Sequence, residues 1–211
     1  MTLTFENELG HIRTLTPKPR NRQLRVVPLQ TGDTAPFFSL VGTPGNWQAS
    51  LRSPEPPATA VSVLELIRDK PLVISFYCPC WGRYAEPFLH KLIRLHESLR
   101  AAGAELLVFS NESPRSLDRQ NGPIAFPVAH DTAFSVARQF GVYSDDNPVW
   151  DRVSGISEDV FTPALYVLDG NRRITYHFLD DNFEGNLAPE AVLAAVSVWQ
   201  PVGNINSLLS S

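Results

Sequence analysis

The sequence of 211 residues contains few cysteines and no long apolar run. No apolar stretch approaches the ~20 residues that a membrane-spanning helix needs. The first thirty residues lack the charged start, apolar run and small-residue cleavage site of a secretory signal. We therefore expect a cytoplasmic protein without a membrane partner. Its only two cysteines form the segment Cys78-Pro79-Cys80, and a cysteine pair in a reducing compartment is more often reactive or metal-binding than structural.

An excess of positive charge is also absent, since the formal net charge is −4. The one basic cluster consists of Lys18, Arg20, Arg22 and Arg25, is interrupted by prolines and has no interleaved aromatic residues. We interpret it as a solvated arm, and we expect no nucleic-acid partner. Internal repeats are absent too. With 43% apolar and 19% charged residues, the composition is that of one ordinary globular domain.

The first half of the chain predicts a buried strand next to the cysteines. Residues 72–77 are almost continuously apolar, as a strand covered on both faces requires. Apolar residues then recur at helical spacing over about 84–102, and Gly103 is a suitable stop. Earlier elements are a short helix before about residue 13, an extended run over 32–40, a turn at 43–45, a strand over 47–51 and a helix over about 62–68.

The second half alternates strands and helices and ends differently. We predict a strand over 105–110, a helix over about 114–119, a small strand at 127–128, a helix over 132–140, a hairpin of 164–168 with 173–179, and a helix over 189–199. Residues 143–161 form a long irregular insertion. Alternation of this kind predicts an α/β fold with a helix-covered, mainly parallel sheet.

Several short motifs occur in the order found in the peroxiredoxin-like (AhpC/TSA) family of the thioredoxin fold. The segment 32–40, GDTAPFFSL, resembles the family's opening G-D-x-A-P-x-F-x-L. The segments 110–114, SNESP, and 126–131, FPVAHD, resemble later family segments, and 162–169, TPALYVLD, is similar to the proline-led strand that thioredoxin relatives place beside the active site, commonly with a cis peptide. The resemblance covers 32 to about 198. It implies a thioredoxin-like central mixed sheet flanked by helices, with an N-terminal arm (1–31), one domain (32–199) and a C-terminal tail (200–211).

The active-site loop departs from this family. Relatives often carry F-Y-R-G-x-W-C-P-Y-C, and without gaps Gly82 and Ala85 stand where those cysteines would be. The threonine that peroxiredoxins place three residues before the reactive cysteine is replaced by Tyr77 before Cys80 and by Ser75 before Cys78. No arginine is found in 161–164. Peroxide reduction is therefore one option rather than the default.

The position of the two thiols still favours redox chemistry. They follow a predicted central strand and precede a helix, where open α/β sheets gather reactive groups. The positive helix start and Arg83 would favour a thiolate at Cys80. Residues two apart in an extended chain lie roughly 6–7 Å apart, so a disulfide between them would be strained and easily reduced. The alternative is that one or both thiols are buried and inert.

Two thiolates can also hold a soft ion such as Cu(I). Copper-delivering relatives add a histidine near the proline-led strand, but 161–163 contain none, and we interpret His90, His96 and His177 as ordinary surface or half-buried histidines. The carboxylates Asp180, Asp181 and Glu184 are interpreted as part of a solvated loop.

The sequence thus predicts a thiol–disulfide oxidoreductase or peroxiredoxin-like antioxidant protein, with no metal and no cofactor. The predicted catalytic residues are Cys80, which attacks or is attacked, Cys78, which resolves, and Pro163. Tyr77, Trp81, Arg83 and Thr162 are predicted to bind substrate. The expected partners are a protein or small-molecule disulfide or peroxide and a thiol reductant, and a homodimer is left open. The alternative function is a non-catalytic thioredoxin-fold binding scaffold or a Cu(I)-binding protein.

Overall fold

A computed structural model describes residues 3–6, 12–15, 27–43, 46–51 and 60–199. The strands are β1 (Leu3–Glu6), β2 (Ile12–Leu15), β3 (Phe38–Thr43), β4 (Asn46–Leu51), β5 (Val61–Ser62), β6 (Leu72–Tyr77), β7 (Glu105–Ser110), β8 (Val128–His130), β9 (Ala164–Leu168) and β10 (Ile174–Leu179). The helices are α1 (Val63–Leu66), α2 (Ala85–Ala101), α3 (Pro114–Asn121), α4 (Ser135–Phe140) and α5 (Pro189–Ser197), with short 3-10 helices at Pro79–Tyr84 and Val149–Asp151.

Eight of the described strands form one mixed sheet in the order β10-β9-β6-β7-β8-β4-β3-β5. The pairs β6–β7, β7–β8 and β8–β4 are parallel, and the pairs at either side of this group are antiparallel. The mixed sheet flanked by helices agrees with the predicted fold class. The sheet is less parallel than the helix–strand alternation suggested, because β9 and β10 return as a hairpin and β3 pairs with β4 and β5.

Strand β6 lies in the interior of the sheet, and all six of its residues are buried. Phe76 is surrounded by four aromatic rings, those of Phe109, Phe140, Phe161 and Tyr166, at centroid distances of 5.3–6.4 Å. The polar exception, Ser75, donates its hydroxyl proton to the carbonyl oxygen of Ala164 at 3.0 Å. This satisfied hydrogen bond removes most of the cost of burying a hydroxyl group. Ser75 is therefore accommodated in the buried strand without an unpaired polar group.

Helix α2 covers part of this sheet with one apolar face. Its buried residues are spaced three and four apart: Ala85, Phe88, Leu89, Leu92, Leu95, His96 and Leu99. The helix ends before Gly103, whose φ of 75° suits a helix terminus and is rarely adopted by other residues. Helix α5 contacts α2, β9 and β10, and α3 contacts β4 and β8. The long helix next to the cysteines is thus fixed by packing over its whole length.

Three sequence expectations need correction or fall outside the described residues. The predicted helix before residue 13 is wrong, because β1 and β2 pair as antiparallel strands. Leu3 and Phe5 are also two residues apart, the strand period, so the pattern was ambiguous. Helix α4 begins at Ser135 rather than at Thr132, because Phe134 takes a left-handed backbone conformation, with φ 53°, just before it. Most of the predicted turn at 43–45 lies outside the described residues.

Candidate active site

Cys78 is the first residue after β6 and begins a 3-10 turn that carries Cys80. The Cys78 backbone is extended, and its sulfur accepts a hydrogen bond from the backbone N–H of Cys80 at 3.2 Å. Pro79 suits the first position of such a turn because it has no N–H to satisfy. Gly82, with φ 57° and ψ −131°, separates this turn from α2. A conformation of this kind is rare for residues with a side chain, which fits glycine where relatives carry a cysteine.

Cys78 and Cys80 form a disulfide, and their Cα atoms are 5.2 Å apart. The expectation of roughly 6–7 Å assumed an extended loop and is wrong, because the 3-10 turn brings the two residues closer. The observed separation lies within the ordinary range for disulfides. The bond joins the residue after β6 to the short 3-10 turn.

The two sulfur-bearing residues differ in exposure. Cys78 is fully buried, at 0% exposed, and belongs to the hydrophobic core. Cys80 is partly buried and packs against the edge of that core. An incoming thiolate must approach the sulfur that it attacks, so only Cys80 is accessible in the oxidised protein.

Helix α2 begins at Ala85, so Cys80 lies in the 3-10 segment that precedes the helix rather than in the first turn of the helix. A polar group from another element is closer to Cys80. The amide nitrogen Nδ2 of Asn111 donates to Cys80 Sγ at 3.6 Å. The backbone oxygen of Asn111 is 3.0 Å from Nε2 of His130, at the end of β8. The carboxyl ends of β6, β7 and β8 thus bring together the disulfide, Asn111 and His130.

Sequence reasoning did not select Asn111 or His130. Both lie in segments that matched family motifs, SNESP and FPVAHD, but those motifs served only to support the fold. A usable signal existed, because polar residues that directly follow parallel strands converge at one sheet edge.

Pro163 lies on the other side of β6. Phe76 pairs with Ala164 in the antiparallel register of β6 and β9, which puts Pro163 next to the end of β6. The indole Nε1 of Trp81 donates to the carbonyl oxygen of Phe161 at 3.0 Å, tying the cysteine loop to this segment. The expected cis peptide between Thr162 and Pro163 is wrong, because no peptide bond among the described residues is cis.

An open cavity of about 980 Å³ begins directly after Cys80. Trp81, Tyr84, Phe88 and Phe183 form its aromatic wall, with centroid distances of 4.9–5.8 Å between neighbouring rings. Residues 152–156 of the predicted irregular insertion form another wall. A substrate held against this aromatic wall would therefore lie beside the segment that follows the disulfide.

Three cationic side chains line this cavity: Arg83, Lys91 and Arg152. Lys91 donates to the carbonyl oxygen of Gly185. Arg152 donates to Thr162 Oγ1 at 2.6 Å and forms an ion pair with Asp181 at 3.3 Å. Arg83 is exposed and has no hydrogen-bond or ion-pair partner among the described residues. Sequence reasoning did not identify Arg152, because it lies ten residues before Thr162 and outside the segment 161–164 in which an arginine was expected.

Two of the predicted substrate-binding residues are buried. Tyr77 packs edge-to-face on Trp81 at 5.5 Å, and burial raises the pKa of its hydroxyl to about 12. Thr162 is also buried, with its backbone N–H bonded to Val142 and its hydroxyl bonded to Arg152. Tyr77 and Thr162 therefore contact residues that line the cavity, whereas Trp81 and Arg83 line it themselves.

The interpretation of 180–184 as a solvated loop is wrong for Asp180, which is buried. Its carboxylate accepts hydrogen bonds from the hydroxyl of Tyr84 at 2.7 Å and from the backbone N–H groups of Glu184 and Gly185. Burial, and then the bond to this carboxylate, raise the pKa of Tyr84. Asp180 thus fixes one side of the cavity.

Two features of the described residues bear on metal and membrane binding. No group of three or more histidine, cysteine, aspartate or glutamate side chains in the described part is placed to hold a metal ion. In the same part of the chain, no helix is long and apolar enough to cross a membrane.

The mixed sheet flanked by helices defines a protein of the thioredoxin-like fold. Three solved structures are similar. Peroxidoxin BcpB from Mycobacterium tuberculosis has a TM-score of 0.57 and 18% identity, covering 80% of this chain and 96% of its own. Mycobacterium bovis AhpC has a TM-score of 0.57 and 18% identity, covering 84% and 98%. Xanthomonas campestris peroxiredoxin Q has a TM-score of 0.53 and 19% identity, covering 82% and 97%.

The model of the AhpC/TSA family matches residues 31–177, more than half of the chain. The chain belongs to this family and is a peroxiredoxin-like thiol oxidoreductase. The resemblance inferred from the motifs is therefore confirmed. No curated protein sequence matches the chain.

Proposed function

We propose that the protein exchanges disulfides through Cys80, with Cys78 as the resolving cysteine. The observation that carries this proposal is the disulfide between a partly exposed Cys80 and a fully buried Cys78 at the carboxyl end of β6. An inert structural bond has little to stabilise here, because the closed loop contains one intervening residue and restricts the unfolded chain very little.

In the reduced protein, the Cys80 thiolate attacks one sulfur of a substrate disulfide. A bond forms between Cys80 and that sulfur, and the other half of the substrate leaves as a thiolate. The Cys78 thiolate then attacks Cys80 Sγ, which forms the internal disulfide and releases the second substrate thiolate. The substrate gains two electrons, which an external dithiol restores to the protein by the reverse steps.

The substrate is proposed to lie along the cavity that follows Cys80. Trp81 and Arg83 line this cavity. Tyr77 packs against Trp81, and Thr162 accepts a hydrogen bond from Arg152 in the cavity wall. Pro163 lies next to the end of β6, where its carbonyl oxygen accepts the N–H of Asp180, and its proposed role is to position the partner chain beside the disulfide. Aromatic rings with an exposed guanidinium suit a disulfide that has both an apolar part and a carboxylate.

Exchange with a small disulfide should be measurable, whereas hydrogen peroxide should be consumed slowly. Ser75, three residues before Cys78, already donates its proton to the Ala164 carbonyl oxygen, and Tyr77, three before Cys80, is buried. Donors that polarise a reacting oxygen are worth about 10²–10³ in rate. We expect the peroxide rate constant of the reduced protein to stay within about tenfold of that of free dithiothreitol at the same pH, as unassisted thiolate reactivity implies.

Stopped-flow measurement of both reactions on freshly reduced protein tests this proposal. A peroxide rate constant more than about a hundredfold above that of dithiothreitol would make peroxide reduction the principal activity. If neither reaction is detected, the non-catalytic binding scaffold replaces the proposal. Stoichiometric uptake of Cu(I) that requires both cysteines would instead favour the metal-binding alternative.

Replacing Arg83 by glutamine should weaken turnover of substrates that carry a carboxylate. An exposed ion pair is worth about 0.2–1 kcal/mol, so kcat/KM for glutathione disulfide should fall about two- to fivefold. The rate with cystamine, a disulfide without carboxylates, should not fall. Arg94→Gln is the matched control, since Arg94 is exposed on α2 but does not line the cavity. Equal losses with both substrates would remove Arg83 from substrate binding.

The remaining proposals concern partners and location. The substrate class is a protein or small-molecule disulfide, and the reductant is a dithiol protein or a small thiol. We propose the cytoplasm as the location, because a reducing compartment would return the disulfide to the dithiol form. A homodimer is testable by light scattering of the reduced and oxidised protein.

A further inference from the structure

We propose that Asn111 is a positioning residue that stabilises the thiolate of Cys80. This inference rests on the proposed function and adds to it the group that activates the attacking sulfur. The amide nitrogen of Asn111 already donates to Cys80 Sγ at 3.6 Å in the disulfide form. Reduction changes the sulfur from a weak neutral acceptor to an anion, and hydrogen bonds to ionised acceptors are shorter and roughly twice as strong as neutral ones.

The remaining contacts of Asn111 distinguish this role from a purely structural one. Its side-chain oxygen, Oδ1, is buried and has no hydrogen-bond partner among the described residues. A buried asparagine that stabilises a fold normally uses both ends of its amide group. Among the described residues, the Asn111 side chain makes one hydrogen bond, and that bond goes to the accessible sulfur of Cys80. The amide is therefore oriented towards Cys80 and is not part of a wider structural network.

The backbone holds this amide in place. Asn111 directly follows β7, which pairs with β6 in parallel register up to the pair of Tyr77 and Ser110. Its carbonyl oxygen is 3.0 Å from His130 Nε2 at the end of β8. Neither contact involves the Asn111 side chain, so a substitution at this position leaves them available. The donor can thus be removed without breaking the connection between the strands.

Stabilising the Cys80 thiolate has two chemical consequences. The thiolate is the attacking group when the dithiol reduces a substrate, and it is the leaving group when a reductant resolves a mixed disulfide at Cys80. A stabilised reduced form also makes the internal disulfide more oxidising. Removing the donor should therefore slow alkylation of Cys80 and make the reduction potential more negative.

The test uses the full chain with Asn111→Leu, which keeps a similar size without a donor, and Asn111→Asp, which puts a carboxylate beside the sulfur. We expect the alkylation rate of Cys80 by iodoacetamide near neutral pH to fall about three- to tenfold in Asn111→Leu and further in Asn111→Asp. The equilibrium with a glutathione redox buffer should shift towards the disulfide by up to about tenfold, which is ~30 mV for this two-electron couple. Asn121→Leu is the control, because among the described residues the Asn121 side chain bonds only to the Leu117 carbonyl oxygen, within α3.

The reduction potential of the disulfide and the alkylation rate of Cys80 test the role of Asn111 independently of whether the protein exchanges disulfides. If both variants fold, as judged by circular dichroism, and keep the wild-type potential and alkylation rate, the role of Asn111 is refuted while disulfide exchange through Cys80 stands. Equal shifts in the Asn121 control would also refute it, since the effect would then be general. If Asn111→Leu does not fold, Asn111→Ala, which removes the donor without adding a charge, replaces it, and an unchanged potential and alkylation rate in that variant refute the role of Asn111.

Discussion

Replacing Cys80 by serine should reduce disulfide exchange to the uncatalysed background. The remaining thiol, Cys78, is fully buried in the core beneath the loop, so a substrate disulfide cannot reach it in the folded protein. A serine hydroxyl stays protonated near neutral pH and does not replace a thiolate as the attacking group. The measurement is the reduction rate of a chromogenic disulfide by prereduced wild-type and variant protein at equal concentration.

A folding control accompanies this variant. Cys80 is only partly buried, so losing its sulfur should cost little stability, and the thermal transition should stay within a few degrees of that of the wild type in its reduced form. Substantial exchange by well-folded Cys80→Ser would show that Cys78 becomes accessible. The assignment of attacking and resolving roles would then be reversed.

The elements around the site were predictable because their patterns are local. A run of apolar residues from Leu72 to Tyr77 corresponds to a strand buried on both faces, and the observed β6 has these bounds. Apolar residues at helical spacing ending at Gly103 marked α2. The order of the motifs then identified the family, since no single motif was specific enough. These features depend on neighbours in sequence, which a single chain provides.

The contacts that give the site its chemistry were not predictable in the same way. Asn111 meets Cys80 only because β6 and β7 are parallel and end at the same level. Arg152 reaches Thr162 from an insertion with no periodic pattern. Asp180 looked like one of several loop carboxylates, but it is buried because the hydroxyl of Tyr84 and two backbone N–H groups satisfy it. Such pairings are long-range in sequence and leave no periodic signal.

The predicted geometry of the cysteine loop was also wrong, because it depends on a contact that the usual sequence patterns do not show. A cysteine pair around a proline predicts an extended segment, because proline disfavours helical backbone in the residue before it. Cys78 is indeed extended, but the chain turns immediately afterwards into a 3-10 helix. The turn is favoured by Pro79 at its first position and by the Cys78 sulfur, which accepts the Cys80 N–H. Side-chain capping by sulfur is not part of the usual sequence signals, so the compact loop was not expected.

Replacing Cys78 by serine should trap a mixed disulfide between Cys80 and the substrate. Serine fits this position, because its hydroxyl oxygen can accept the hydrogen bond that Cys80 N–H now donates to sulfur, and serine is a preferred capping residue. Cys80 remains accessible and attacks the substrate disulfide, but no second thiol is available to release the product. One substrate half should therefore stay bound per chain until an external thiol is added.

Intact-mass spectrometry after a short exposure to excess glutathione disulfide measures this adduct, and peptide mapping locates it. The wild-type protein should return to its internal disulfide without an adduct, and Cys80→Ser should gain none. Quantitative labelling of Cys78→Ser at Cys80, lost on adding dithiothreitol, is the expected pattern, because only the resolving step is blocked. An adduct that fails to form in Cys78→Ser, although the protein is folded and its Cys80 thiol reacts with iodoacetamide, would show that Cys80 does not attack disulfides.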